Sequence, residues 1–284
     1  MSSQPRFARL THRALVRLTG PDWRSFLQGL ITQDVESQSV GELRYGALLT
    51  PQGRLLHDLF VLAAEDGALL DVQAAQRDAL VSRLAMYRLR AKVDIAPVDG
   101  GVFALWNTGE APETWAADPR LPGLGFRWLR EEVPNADAAE TVSGEAYDAH
   151  RLAFGVPDPA RDCPDDKTYP IEANFDLLNG IDFKKGCFVG QETTSRMKRR
   201  GLVKTRMVPL SFDGETPPFG TEVLAGDLRA GEVLSGRQGR ALALLRLDRA
   251  MGAQLQVQGR PVRLDPPPWL ASALSGPELA QAPA

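Results

Sequence analysis

Asp182-Phe183-Lys184-Lys185-Gly186-Cys187-Phe188-Val189-Gly190-Gln191-Glu192 is the stretch on which the reading of this chain turns. It packs together two lysines, a thiol, two glycines and, at its end, an amide beside a carboxylate. Glycines at 186 and 190 permit positive φ or close backbone approach, which reads as a structured loop rather than a helix interior. A lysine two residues before a cysteine favours the thiolate if the side chains converge, because nearby positive charge lowers a thiol's pKa. Gln191 and Glu192 supply the donor, acceptor and charge that suit a pterin ring or an amino-acid tail. Against this stands the plainer reading of Cys187 as a small packed residue, the usual fate of a free cysteine.

Downstream, residues 184–206 carry Lys184, Lys185, Arg196, Lys198, Arg199, Arg200, Lys204 and Arg206 against Glu192 alone. Such a patch can hold phosphates. Phe188 is its one aromatic and no RNA-binding signature accompanies it, so direct nucleic-acid binding is the weaker reading. A polyglutamyl tail is also polyanionic and meets the same charges, and a solvated basic face needs no ligand at all.

Further out, the N-terminal half alternates strands and helices. Ala14–Leu18 reads as a first strand, and Trp23, Phe26, Leu27, Leu30 and Ile31 follow at helical spacing until Thr32-Gln33-Asp34. A strand is expected from Arg44 to Leu49. A hairpin pairs Leu55–Leu62 with Ala68–Val72 around Glu65-Asp66-Gly67. A helix over Ala74–Arg88 turns Leu80, Val81, Leu84 and Tyr87 inward, and Lys92–Ile95 and Val102–Trp106 resume the strand pattern. No Gly-x-Gly-x-x-Gly and no Walker-type Gly-Lys-Ser/Thr is present, so this is α+β rather than a nucleotide-binding α/β unit. Residues 107–143 show little periodicity beyond Phe126–Leu129 and read as connecting structure. A helix over Glu145–Phe154 stops before Gly155-Val156-Pro157. From Thr205 short strands punctuated by Gly and Pro predict a small antiparallel barrel: Met207–Phe212, Thr221–Ala225, Gly231–Leu234, Ala241–Leu247, Gln254–Val257 and Pro261–Leu264. The Ala/Pro-rich last ten residues are expected to fray.

Composition narrows the function classes. A net charge of −3 gives no overall field for nucleic acid or anionic membrane. No apolar run approaches the roughly 20 residues of a spanning helix. Arg6, Arg9, Arg13 and Arg17 resemble a transit peptide faintly, but the strand reading over Ala14–Leu18 is preferred. Two cysteines and three scattered histidines provide neither a disulfide scaffold nor zinc spacing, so no metal site is expected. Cys163, among acidic neighbours in Arg161-Asp162-Cys163-Pro164-Asp165, reads as structural or incidental. The five tryptophans read as packing residues.

Lys185-Gly186-Cys187-Phe188-x-Gly190-Gln191-Glu192, followed by Arg196 and Gly201, resembles the signature of the YgfZ family, within the glycine-cleavage T-protein superfamily. Other blocks match in order: Leu18-x-Gly20-x-Asp22, Phe26–Gly29 with Thr32-x-Asp34, Leu49–Arg54 with Asp58, Tyr87–Arg90, Tyr147 and Arg151 with Gly155–Pro157, Pro170-Ile171-Glu172-x-Asn174 with Asp176, Gly180-Ile181, and Ala241–Arg246. The resemblance implies a ring-like T-protein fold, a folate-binding α+β region over 1–204 in two subdomains, and a C-terminal antiparallel β-barrel over 205–284. It implies tetrahydrofolate or a derivative near the centre, held by Lys185, Gln191, Glu192 and Arg196, with Cys187 and Asp58 as candidate catalytic groups. It further implies support for iron–sulfur enzymes, including ones that modify tRNA. The expected partners are iron–sulfur client or assembly proteins, in the cytoplasm, or in the mitochondrial matrix of a eukaryote. The T-protein, a folate-dependent aminomethyltransferase, is the alternative. However, Gly53-Arg54-Leu55-Leu56-His57-Asp58 keeps only Asp58 of that enzyme's acidic second block, and Asp58 serves equally well as a structural pair.

Overall fold

A computed structural model describes residues 4–110, 112–135, 138–163, 167–200, 203–237 and 239–274. Two units emerge, one from Met1–Tyr147 with Leu178–Gln191, the other from Asp148–Leu177 with Glu192–Ala284.

The first unit holds two five-stranded sheets. One has the order β3-β4-β5-β2-β6, from β2 (Arg13–Thr19), β3 (Leu43–Leu49), β4 (Leu55–Ala63), β5 (Gly67–Gln73) and β6 (Asp94–Val98), all antiparallel. Strand periodicity of two sorts its residues. Val16 and Leu18, Leu59 and Val61, Leu70 and Val72 lie on one face, where α1 (Trp23–Gln28) and α2 (Arg77–Arg88) cover them with Trp23, Phe26, Leu27, Leu80 and Leu84. Burying each such side chain is worth about 1.5–3 kcal/mol. The opposite face carries Arg13, Asp58, Phe60, Asp71 and Gln73, all buried.

The other sheet has the order β10-β1-β7-β9-β8, from β1 (Arg6–Arg9), β7 (Gly101–Trp106), β8 (Ala116–Ala117), β9 (Phe126–Arg130) and β10 (Glu140–Thr141). This corrects the reading of residues 107–143 as connecting structure, since three of its strands come from there. Two are only two residues long, too short to leave a period. Strand β1 likewise precedes the strand expected to open the fold. Helix α1 stops at Gln28, six residues before the expected end at Asp34.

In the second unit, six strands close a barrel in the order β11-β14-β13-β12-β15-β16: β11 (Thr205–Ser211), β12 (Glu222–Ala225), β13 (Leu228–Arg237), β14 (Arg240–Arg246), β15 (Leu255–Val257) and β16 (Arg260–Leu264). Each overlaps one of the six predicted strands. Val208, Leu210, Val223, Val233, Ala243, Leu245 and Val257 fill its core. Helix α3 (Gly144–Ala153) ends before Gly155, whose φ is 67° and where a Cβ would lie 2.5 Å from the Pro209 ring. A short α4 (Pro159–Asp162) and α5 (Gln191–Arg200) complete the elements used below. The tail expected to fray lies outside the described residues, as do Gly201, Pro164 and Asp165.

Candidate functional site

The signature loop is tied to the stretch after α1. The Thr32 hydroxyl donates to the Gly180 carbonyl at 2.6 Å and accepts from the Ala47 N–H at 2.8 Å. The Gln33 amide donates to Asn179 O at 2.6 Å, and the Asp182 N–H to Thr32 O at 2.9 Å. Asp182 Oδ1 then accepts the N–H groups of Lys184 and Lys185 at 2.7 and 3.3 Å, turning the chain inward.

Lys185 is the anchor of that turn. Its side chain is buried, and Nζ donates to the carbonyl oxygens of Gln28, Ile31 and Gln33 at 2.8, 2.6 and 2.8 Å. These are orphan acceptors at and beyond the C-terminal end of α1, where positive charge is favoured. Nζ also lies 5.3 Å from the Phe188 ring centroid. Burial pushes the ammonium down to about 8, against the opposing pull of Asp34, Asp182 and Glu36. All three ammonium protons therefore serve main-chain oxygens.

Cys187 is exposed at the crest of the loop, while Phe188 beside it is buried. The two glycines of the loop differ. Gly190 has φ 81°, and a Cβ there would lie 2.6 Å from the Thr50 carbonyl oxygen. Gly186 faces open space with no such constraint. Gln191 opens α5, so Gln191, Glu192 and Arg196 are helical rather than loop residues. Lys185, Cys187 and Gln191 belong to the first unit, Glu192 and Arg196 to the second. Glu192 and Arg196 are exposed.

A cavity of about 400 Å³ lies in the first unit, lined by Gln33, Ser37, Glu42, Arg44, Tyr45, Asn179 and Asp182 among others. That volume is within the range of small-molecule sites, about 300–1,000 Å³. None of these residues was singled out as a ligand contact from sequence. The signal that could have found them was the Thr32-x-Asp34 block and the Asp182 that opens the signature. Asp34 sits behind the wall of this cavity. Burial would raise its pKa, but the Ser37 hydroxyl, the Gln28 amide and Arg44 bring it down to about 2.

Asp58 belongs to a different structure. Its oxygens accept from Arg13 Nη1 and Gln73 Nε2, both at 2.8 Å. Arg13 continues to Asp71 at 2.5 Å, Asp71 to Arg127 at 2.6 Å, Arg127 to Asp118 at 2.9 Å, and Asp118 to Arg120 at 2.7 Å. Three aspartates and three arginines thus alternate through the space between the two sheets, all buried. The Arg127 guanidinium lies 3.9 Å from the Phe60 ring centroid. Burial alone would raise the Asp118 pKa, yet Arg120 and Arg127 hold it well below the usual carboxylate range. A buried charge this well matched costs several kcal/mol to break, about 3–5 for one partner removed. The sequence reading missed this chain, because its members are scattered over residues 13–127.

The basic patch shrinks on folding. Lys185 is committed as above, and Arg206 is buried against Ile171 O, Asn174 and Asp176. Lys184, Arg196, Lys198, Arg199 and Lys204 are exposed. The Arg200 side chain lies outside the described residues. Among the described residues no group of three His, Cys, Asp or Glu side chains is placed to hold a metal ion, and no helix is long and apolar enough to cross a membrane.

Residues 9–109 match the GCVT N-terminal domain family, and residues 204–272 match the CAF17 C-terminal β-barrel domain. The crystal structure of the glycine cleavage system aminomethyltransferase T from Bartonella henselae aligns with a TM-score of 0.75 over 94% of this chain and 86% of that one. At 17% identity this is a likeness of fold. The human iron–sulfur cluster assembly factor IBA57, mitochondrial, is 30% identical over 278 residues, covering 86% of this chain and 78% of that protein. The chain belongs to the IBA57 family. The IBA57 homolog of Mycosarcoma maydis is 37% identical over 242 residues, 76% of this chain and 60% of its own length. That of Phaeosphaeria nodorum is 38% identical over 229 residues, 72% of this chain and 55% of its own. The chain therefore spans somewhat over half the length of these two fungal relatives. The expected T-protein-like α+β region with a closed antiparallel C-terminal barrel is the fold this member of the IBA57 family adopts.

Proposed function

We propose that this protein binds a reduced folate and supports the assembly or maintenance of iron–sulfur proteins, among them enzymes that modify tRNA. The observation that carries the reading is the exposed Cys187 on a loop whose backbone is fixed by the buried Lys185. A thiol presented outward on a rigid support is placed to act on a partner rather than to pack. One thiol supplies only part of the four cysteine ligands a cluster ordinarily takes, so the cluster is cargo shared with client or assembly proteins. The names of the relatives, iron–sulfur cluster assembly factors, support the same role. The resemblance of its signature to that of the YgfZ family supports a place in that branch, with the work done in the cytoplasm, or in the matrix of a mitochondrion.

The folate part rests on the GCVT match and on the donor set of the cavity. Arg44, Glu42, Asp182 and the amides of Gln33 and Asn179 line it and are already hydrogen-bonded within the protein, so a ligand would meet Arg44 Nη2, the second amide protons and Asp182 Oδ2. A pterin edge alternates the same two senses, so the residues fit the group. Gln191, Glu192 and Arg196 remain the proposed contacts for the folate's amino-acid tail, and Lys185 the group that holds their loop. Aminomethyl transfer is supported by fold alone. Asp58, the one carboxylate left for it, has both oxygens on Arg13 and Gln73, whereas a general base needs the reacting group within hydrogen-bond reach.

Complementation tests the thiol. In cells lacking the native gene, Cys187→Ser at equal protein level should lose most of the activity of an iron–sulfur tRNA-modifying enzyme while keeping its melting temperature. Full complementation by Cys187→Ser returns the residue to a passive role.

A further inference from the structure

The end of α2 and the turn into β6 present a surface that neither folate nor cluster chemistry uses. Leu89 caps the helix at φ 44°, ψ −104°, backbone territory that glycine enters freely and a branched side chain seldom does. Leu89 is 88% exposed, and Met86, one turn earlier, is 67% exposed. Residues three apart lie side by side on a helix, so the two form one apolar ridge. The fold's own contacts here are made by Tyr87 and Ala91, which pack against the core.

This turn is held, not frayed. The Ala91 N–H donates to Arg88 O at 2.7 Å and the Lys92 N–H to Asp22 Oδ2 at 2.8 Å. A Cβ on Gly20 would lie 2.3 Å from the Lys92 carbonyl oxygen, so the backbone is pinned against a close neighbour. An outward leucine at a costly φ, braced on both sides, is the kind of local strain that persists where a display is useful.

Charge says what the ridge meets. Within residues 83–94 the basic Arg83, Arg88, Arg90 and Lys92 outnumber the one acid, Asp94, and the Asp22 carboxylate reaches the turn only through the Lys92 N–H, in a chain whose net charge is −3. Asp94 lies 3.9 Å from Arg88, with both side chains at least half exposed. The neighbouring β6 is an edge strand, but Pro97 within it discourages strand addition.

We infer that the Met86–Leu89 ridge is a docking site for an acidic helix of a protein partner, in which two leucines one turn apart form the apolar socket for Leu89. Two apolar side chains bury too little area to seat the turn in a bilayer, whereas a braced leucine suits a shaped socket, because its ordering is settled before binding.

The test uses the full chain and a defined probe, a helical peptide with two leucines one turn apart, flanked by glutamates. Fluorescence anisotropy at about 0.1 M salt, where surface charges still act over ~10 Å, should give saturable binding. Replacing the peptide's leucines by alanine, or Leu89→Gly in the protein, should weaken binding at least tenfold. Arg90→Glu should also weaken it and flatten its salt dependence. Because glycine relieves the φ, Leu89→Gly should leave the melting temperature unchanged or higher. A dissociation constant above about 1 mM, which is weaker than −4.1 kcal/mol, overturns the inference. So does unchanged binding by Leu89→Gly, a fall in its melting temperature, or tighter binding to phosphatidylserine vesicles than to the peptide.

Discussion

Burial moves the Lys185 ammonium from its ordinary 10.5 to about 8, and this has a measurable sign. Between those values the unfolded chain binds more protons than the folded one, so stability rises with pH. Wild type should gain on Lys185→Met in urea midpoints as pH climbs from 8 to 10.5, with little change in the difference below 7. A difference that falls over that window would mean that the three carbonyls stabilise the ammonium by more than burial costs it. Lys185 was legible as a residue of interest, but its task was not. Spacing put Lys185 two positions from Cys187, and nothing in spacing says that the side chain turns back to Gln28, Ile31 and Gln33. The Asp58 network was illegible for a related reason, since a buried ion chain is assembled by strand pairing rather than by neighbours in sequence.

Among the elements, α5 is where charge and motif meet. Gln191 and the exposed Arg196, Lys198 and Arg199 share this one ten-residue helix. If its basic side holds a polyglutamyl tail, the triple variant Lys198→Ala, Arg199→Ala, Arg200→Ala should weaken a pentaglutamyl folate about tenfold. Exposed pairs are worth up to about 1 kcal/mol each. The monoglutamate should change less than about twofold, because it offers the helix few charges to meet. Equal losses for the two ligands, or none, would make this a solvated face. Strands were legible where Gly and Pro punctuate them, as in the barrel, and where a turn sequence separates two apolar runs, as Glu65-Asp66-Gly67 does between β4 and β5. They were not legible in Ala116–Ala117 and Glu140–Thr141, whose two residues each carry no period. Such strands form only because β9 and β1 offer them a ladder.

For the whole molecule, the folate binding proposed above is the claim that joins the cavity and the signature loop into one account. Some of the blocks that carried the family resemblance are turns and anchors, such as Gly190 against Thr50 and Thr32 against Gly180. That is why the fold could be read from them although the second sheet could not. The cavity was invisible from sequence because Gln33, Arg44, Tyr45 and Asn179 come from separate segments that fold together. Isothermal titration calorimetry of the full chain with tetrahydrofolate and its 5-formyl and methylene derivatives tests the claim directly. At least one should bind saturably at one site per chain, and heats indistinguishable from dilution for every reduced folate, at millimolar ligand, would contradict it.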